Sequence, residues 1–158
     1  MELTALCRAW AETLCGDAEL RQWAEGLWGA PLNVFLGYDA VREFGREDAP
    51  YVVIQPLGDE RGPQLEERAV RVGLFLGCAA PAAAPEPEED GGPRVLPEVE
   101  LMEREFAPRV LDALLRVDPP PAACEGETLP PVDGFVEKYV LVSVVAPSTL
   151  GMGRTVWR

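Results

Sequence analysis

The sequence predicts a single mixed α/β domain of the α+β class, in which two main helices pack on a mostly antiparallel sheet of four or five strands. Two observations lead to this class. Apolar residues recur at helical spacing in two parts of the chain, and short runs rich in β-branched and aromatic residues lie between and after them. The length of 158 residues, 47% of them hydrophobic and 26% charged, agrees with one domain over residues 1–158.

The first part of the chain predicts two helices. Residues 2–14 repeat apolar side chains at the i, i+3, i+4 and i+7 spacing of an amphipathic helix, which Gly16 ends. Asp17 suits the N-cap of a second helix, over about residues 18–28, because its carboxylate accepts hydrogen bonds from the first amides. The sequence Gly29-Ala30-Pro31 predicts the end of this second helix.

Helical periodicity returns at Pro97, a residue that suits the first turn of a helix. Pro108 lies inside this pattern and has no amide hydrogen to donate to the preceding turn. We therefore expect a kink, or two abutting helices, near Ala107. The prolines at 119–121 predict the end of the helix and the start of a linker that contains Cys124.

Strands are predicted where short apolar runs are bounded by turn residues. The segment from Gly58 to Pro63 is polar and predicts the turn of a hairpin between the second and third strands. In the third strand, Gly73 and Gly77 lie opposite the apolar face, where they mark a bulge or leave room for a helix or a neighbouring subunit. The predicted strands are residues 33–37, 51–57, 67–79 and 135–146.

Two segments are expected to stay out of the core. Residues 80–96 are rich in Ala, Pro and acidic side chains, so they predict a loop, or disorder, because too little apolar surface is available to offset the entropy of ordering. Residues 150–158 predict a C-terminal arm that reaches a neighbouring molecule, since Leu150 and Trp157 are large apolar residues and Trp is common where proteins meet.

Charge and composition exclude several classes of function. The 14 Lys and Arg against 27 Asp and Glu leave a net charge of −13, which repels phosphate and argues against sequence-specific binding of nucleic acid. No secretory signal or membrane-spanning segment is recognisable, so we expect a cytoplasmic protein and no membrane partner. The four cysteines form no CxxC pair and are expected to be reduced and mostly buried.

The sequence does not predict an enzyme or a cofactor. Histidine is absent, which removes the commonest general base and metal ligand. No phosphate-binding glycine motif and no nucleophile motif is present. The carboxylates of residues 86–90 and 98–103 lack the ligand spacing of a calcium loop and predict solvated, charged surface.

Candidate interface residues fall in four places. Trp28 and Pro31 form a corner after the second helix, and the predicted hairpin turn is charged and expected to contact a neighbouring subunit. The strand glycines and the C-terminal arm complete the set. By number, the candidates are Trp28, Pro31, Asp59, Glu60, Arg61, Gly73, Gly77, Leu150 and Trp157.

The order of elements, together with two stretches of sequence, resembles the tail terminator (minor tail or tail completion) proteins of long-tailed bacteriophages. One stretch is Pro50-Tyr-Val-Val-Ile-Gln-Pro56, which follows the short strand at 33–37. The other is the proline-containing approach from Leu129 to a closing strand that ends at Pro147. The resemblance covers most of the chain and rests on architecture and loose patterns.

This resemblance implies a structural protein rather than an enzyme. Copies of the chain are expected to close into a ring, commonly a hexamer, that caps the tail tube and offers its other surface to the head-completion protein. DNA passes through such a ring, and a negative wall keeps phosphates from adhering. The implied location is the bacterial host cytoplasm during assembly and then the virion tail.

Two alternatives belong to other classes. An acidic binding module, such as an inhibitor or a DNA-mimic protein, would place residues 86–90 and 98–105 on one face and bind a basic partner as a monomer. A carboxylate-dependent enzyme, with or without a metal ion, would use the same acidic residues. The first is distinguished by salt-sensitive binding of a basic protein, and the second by activity that glutamine substitutions remove.

Overall fold

A five-stranded mixed sheet, with strand order β1-β2-β3-β5-β4, forms the centre of the molecule. The computed structural model describes residues 2–37, 44–61, 67–81, 92–93 and 95–147. The first two strands are parallel, and each other neighbouring pair is antiparallel. The helices are α1 (Leu3–Gly16), α2 (Ala18–Trp28), α3 (Pro97–Leu101) and α4 (Ala107–Leu114), and the strands are β1 (Asn33–Leu36), β2 (Tyr51–Arg61), β3 (Glu67–Ala79), β4 (Ala123–Thr128) and β5 (Phe135–Pro147).

The core lies between the helices and one face of the sheet. The alternation predicted for β3 and β5 is confirmed, because one face of each strand is buried along its length. Trp10 and Leu14 of α1 and Phe106 of the third helical segment are fully buried against it. The strand residues of this core are Val52, Ile54, Val70, Val72, Leu74, Leu76, Cys78, Val136, Val140, Val142 and Val144.

Local capping explains the bounds of α2. The carboxylate of Asp17 accepts a 3.0 Å hydrogen bond from the amide of Leu20, as its sequence position predicts. Gly29 has a φ of 64°, a left-handed conformation that glycine adopts without strain, and it ends the helix. The predicted range of 18–28 is confirmed, and α1 extends two residues past its predicted end to include Gly16 itself.

The irregularity predicted near Ala107 takes the form of a π-helical turn, Met102–Phe106, between α3 and α4. The amide of Ala107 donates to the carbonyl of Met102, five residues earlier, instead of four. Pro108 follows immediately and has no hydrogen to donate. The wider turn accommodates the proline ring without ending the helical path.

The predicted extent of the second strand, residues 51–57, is wrong. Asp59, Glu60 and Arg61 lie in β2, paired with Val70, Ala69 and Arg68, and not in the hairpin turn. The register shifts at a bulge between Pro56 and Gly58, and the pairing with β3 then continues to Arg61. These polar residues have low strand propensity, so their extended conformation comes from the pairing with β3 and not from local sequence. The connection at 62–66 lies outside the described residues.

The linker predicted around Cys124 is instead strand β4, which pairs with β5 at one edge of the sheet. Its sequence, Ala-Cys-Glu-Gly-Glu-Thr, has little β propensity, so the pairing with β5 determines its conformation. The predicted sheet of four or five strands therefore has five. Most of the predicted loop at 80–96 lies outside the part of the chain that the structure describes.

The cysteines divide into two pairs. Cys7 and Cys78 are buried, whereas Cys15 and Cys124 are exposed, so the expectation of mostly buried thiols holds for two of them. All four are free. Burial raises the pKa of Cys7 to about 11, and burial with a smaller effect from the charge of Glu98 raises the pKa of Cys78 to about 12.

No helix among the described residues is long and apolar enough to cross a membrane.

We predict that Asp17 stabilises the protein mainly as an N-cap. Its carboxylate also lies 2.6 Å from the guanidinium of Arg116, whose side chain is 63% exposed. Asp17→Ala removes both interactions, whereas Asp17→Asn keeps a cap acceptor and loses only the ion pair. In urea unfolding, we expect Asp17→Ala to lower the free energy of unfolding by about 1 kcal/mol and Asp17→Asn by well under half of that. Equal losses in the two variants would contradict this account, and Arg116→Ala is the matched control.

Candidate interaction surface

The sheet face that points away from the helices carries a layer of aromatic rings at one end. Ring centroids of Phe44 and Tyr51 lie 5.5 Å apart, and those of Tyr51 and Phe135 lie 6.2 Å apart. Tyr51 is fully buried, and its hydroxyl donates a hydrogen bond to the carboxylate of Glu137 on β5. This end of the face is therefore occupied by side chains of the chain itself.

The space above the two strand glycines is filled from within the chain. The ring of Tyr51 lies directly over Gly77, so closely that a Cβ atom there would clash with it. A Cβ atom on Gly73 would lie 3.1 Å from the ring of Tyr139 and 3.5 Å from Leu57. The expected open room for a helix or another subunit is therefore taken by tyrosines, and the role of these glycines in an interface stays a prediction.

Farther along the same face, apolar side chains are exposed. Leu57, at the bulge of β2, is 43% exposed, and Val145, near the end of β5, is 49% exposed. Leu141 lies on the same face of β5, four residues before Val145, and is half-buried. We call Leu57, Leu141 and Val145 the apolar strip. Exposed apolar side chains on one sheet face are a common feature of protein–protein contacts.

Beside the apolar strip lies the edge strand β4. Residues 123–127 are all exposed, and among the described residues only β5 pairs with this strand. Glu125 is paired in register with Leu141, and Glu127 with Tyr139, so both carboxylates lie on the face of the apolar strip. The surface thus combines an apolar strip with an acidic edge whose outer side pairs with no other strand of the described residues.

On the opposite face, the first part of β5 contacts the helical layer through an ion pair. Lys138, the one lysine of the chain, lies 2.6 Å from the carboxylate of Glu103 in the π-helical turn, and the hydroxyl of Thr128 donates to that carboxylate too. A Cβ atom at Gly126 would lie 2.9 Å from Cε of Lys138, so the glycine makes room for the lysine stem. Burial alone would raise the pKa of Glu103, but the hydrogen bonds from Lys138 and Thr128 outweigh it and lower that pKa.

The corner at Trp28 is held within the fold. The indole N–H of Trp28 donates to the carbonyl of Ala79 over 2.8 Å, and its ring packs 5.2 Å from Trp23 and 5.7 Å from Phe106. Trp28 is half-buried, and Pro31 after it is exposed. The role of Trp28 and Pro31 in an interface stays a prediction.

The candidate residues do not gather in one place. Asp59, Glu60 and Arg61 lie in β2, and Leu150 and Trp157 lie outside the described residues. The apolar strip and the edge of β4 were not predicted. The only sequence signal for β4 is the alternation of Glu125 and Glu127 with Cys124 and Gly126. This alternation is short, and neither set of alternate residues forms the apolar face that usually identifies a strand.

No model of a known protein family matches this chain, and no curated protein is significantly similar to it.

We predict that Gly77→Ala is more damaging than Gly73→Ala. The added methyl at 77 meets the buried ring of Tyr51, whereas at 73 it meets a half-buried ring that is free to shift. Thermal or urea unfolding should show a loss of about 1–3 kcal/mol for Gly77→Ala and less than half of that for Gly73→Ala. Tyr51→Leu should make Gly77→Ala nearly neutral. Additive losses in that double variant would refute the clash as the cause.

We predict that the contribution of Glu103 to stability is lost in acid. A carboxyl with a lowered pKa in the folded state stabilises the protein above its ordinary pKa of 4.5, and that effect disappears as the pH falls through the lower folded value. The difference in unfolding free energy between the unmodified protein and Glu103→Gln, about 1 kcal/mol or less at pH 7, should therefore shrink toward zero below about pH 4. Glu105→Gln, which loosens an exposed pair with Arg109, is the control. A difference that stays constant with pH would contradict the assignment.

Proposed function

We propose that this chain is a structural assembly protein of the tail-terminator kind. Its copies form a ring, commonly of six, that caps the tail tube of a long-tailed bacteriophage and joins it to the head-completion protein. Assembly takes place in the cytoplasm of the bacterial host, and the protein ends in the virion tail. It has no catalytic role and needs no cofactor.

The observation that carries this proposal is the pair of unlike edges of the sheet. One edge is β1, four residues long and parallel to its neighbour, and the other is β4, exposed and acidic. A ring requires that each subunit offer two different, complementary surfaces, because a surface that pairs with its own copy closes as a dimer. Unlike edges at opposite sides of one sheet meet this requirement.

Two further features support the same proposal. The apolar strip, with Leu57 and Val145 more than two-fifths exposed, offers surface whose burial would favour association. The net charge of −13 suits a ring through which DNA passes, since phosphates are repelled from its wall. The resemblance of the sequence links these features to the end of a phage tail.

The acidic-module alternative loses support from the third helical segment. Glu98 is 3% exposed, and Glu103 is bound to Lys138. Glu100 lies 2.8 Å from Arg104, and Glu105 lies 3.8 Å from Arg109. The carboxylates at 98–105 are therefore buried or paired within the chain, whereas a mimic of DNA needs its charges free and on one face.

We predict that charge placed in the apolar strip prevents ring formation without unfolding the subunit. Leu57→Glu with Val145→Glu should shift the mass in light scattering from a ring to a monomer, because association would bury two unpaired carboxylates. Leu115→Glu is the control, since Leu115 is 53% exposed on the helical layer, and it should leave the ring intact. Circular dichroism should match in all three proteins. Rings that form equally in the double variant would contradict a role of the strip, and a monomer at every concentration of the unmodified protein would contradict the proposed function.

A further inference from the structure

The outer edge of β4 is a surface to which another segment of the same sequence is able to add as a strand. Extended segments add to exposed sheet edges through backbone hydrogen bonds, and side chains on alternate positions give specificity. We infer that residues 148–158 of one copy add as a strand to β4 of the next copy in the ring. This inference rests on the proposed ring and names the contact that holds it together.

Charge complementarity is the first argument. Residues 148–158 contain two of the chain's 14 basic residues, Arg154 and Arg158, and none of its 27 acidic residues. Elsewhere the chain is strongly acidic, and β4 carries Glu125 and Glu127 on one face. A basic strand laid on this acidic edge places opposite charges within the reach of cross-strand neighbours.

The residue pattern is the second argument. Arg154-Thr-Val-Trp-Arg158 is rich in residues that favour strands. In an extended conformation, Arg154 and Arg158 share one face with residue 156, and residues 155 and 157 point the other way. When the arginines lie on the side of Glu125 and Glu127, residues 155 and 157 lie on the side of Cys124. This holds for either direction of the added strand.

The proposed ring favours the β4 of a neighbouring copy over that of the same chain. Each subunit then offers two different surfaces, the edge of β4 and the segment that follows Pro147, as a closed ring requires.

Disulfide trapping tests the contact, because β4 already carries an exposed thiol at Cys124. In a Cys15→Ser background, Thr155→Cys and Trp157→Cys place a second thiol on the side of Cys124, and Val156→Cys places it on the other side. Cys7 and Cys78 are buried and do not interfere. With glutathione disulfide as the oxidant, we expect cross-linked multimers from the 155 or the 157 variant and at least tenfold fewer from the 156 variant.

Other outcomes of the trapping experiment would overturn the inference. Cross-linking within one chain would show that the segment pairs with its own β4. Equal cross-linking at 155, 156 and 157, or none at any of them, would show that no defined strand is added.

Exchange of the charges between the two partners supplies a second test, because rescue by the second pair of substitutions shows that the first pair did not simply unfold the subunit. Glu125→Arg with Glu127→Arg should raise the concentration needed for half-assembly by about tenfold or more, and adding Arg154→Glu with Arg158→Glu should restore it. Reversal of two exposed carboxylates on α2, Glu19→Arg with Glu25→Arg, is the control and should have little effect. Absence of rescue would contradict the pairing of these charges.

Truncation separates the inference from the proposed function. Removal of residues 148–158 should abolish the ring while thermal stability of the subunit is retained. A ring that persists in the truncated chain overturns the inference and leaves the proposed function standing. Cross-linked open multimers of the full chain, without closed rings, would sustain the contact and overturn the ring.

Discussion

The antiparallel pairing of β3 with β5 is the interaction on which the rest of the structure depends. It runs without a register shift from Glu67 with Pro147 to Ala79 with Phe135. Because side chains alternate along both strands, this pairing places one apolar face under the helices and turns the other face away from them. The strand β2 pairs with β3 and the strand β4 pairs with β5, so β4 forms one edge of the sheet.

The sheet face that points away from the helices differs between its two ends. At one end, Gly77 admits the buried ring of Tyr51, whose hydroxyl is bound by Glu137, so the face is closed within the subunit. At the other end, Leu57 and Val145 are exposed, and Leu141 on the same face is paired in register with Glu125 of the acidic edge strand. A surface of this kind suits association between copies, since apolar burial supplies affinity and an open edge fixes orientation.

Those parts of the fold with local signals were predictable from the sequence. Asp17 and Gly29 mark the start and the end of α2, and strict alternation of apolar residues identified β3 and β5. Both signals depend only on residues that are close in the sequence. The strand β4 was missed because its conformation comes from pairing with a distant strand. For the same reason, the sequence did not reveal that Leu57 would be exposed at a bulge, or that the tyrosines would fill the space above the glycines.

Native mass spectrometry of the full chain over a range of concentrations tests the central claim most directly. If two unlike surfaces on each subunit join neighbouring copies into a closed ring, one stoichiometry near six should dominate and should persist as the concentration rises. An isologous contact would instead give a dimer, and a contact that does not close would give a ladder of masses without limit. Either of these results, or a monomer throughout, would contradict the account.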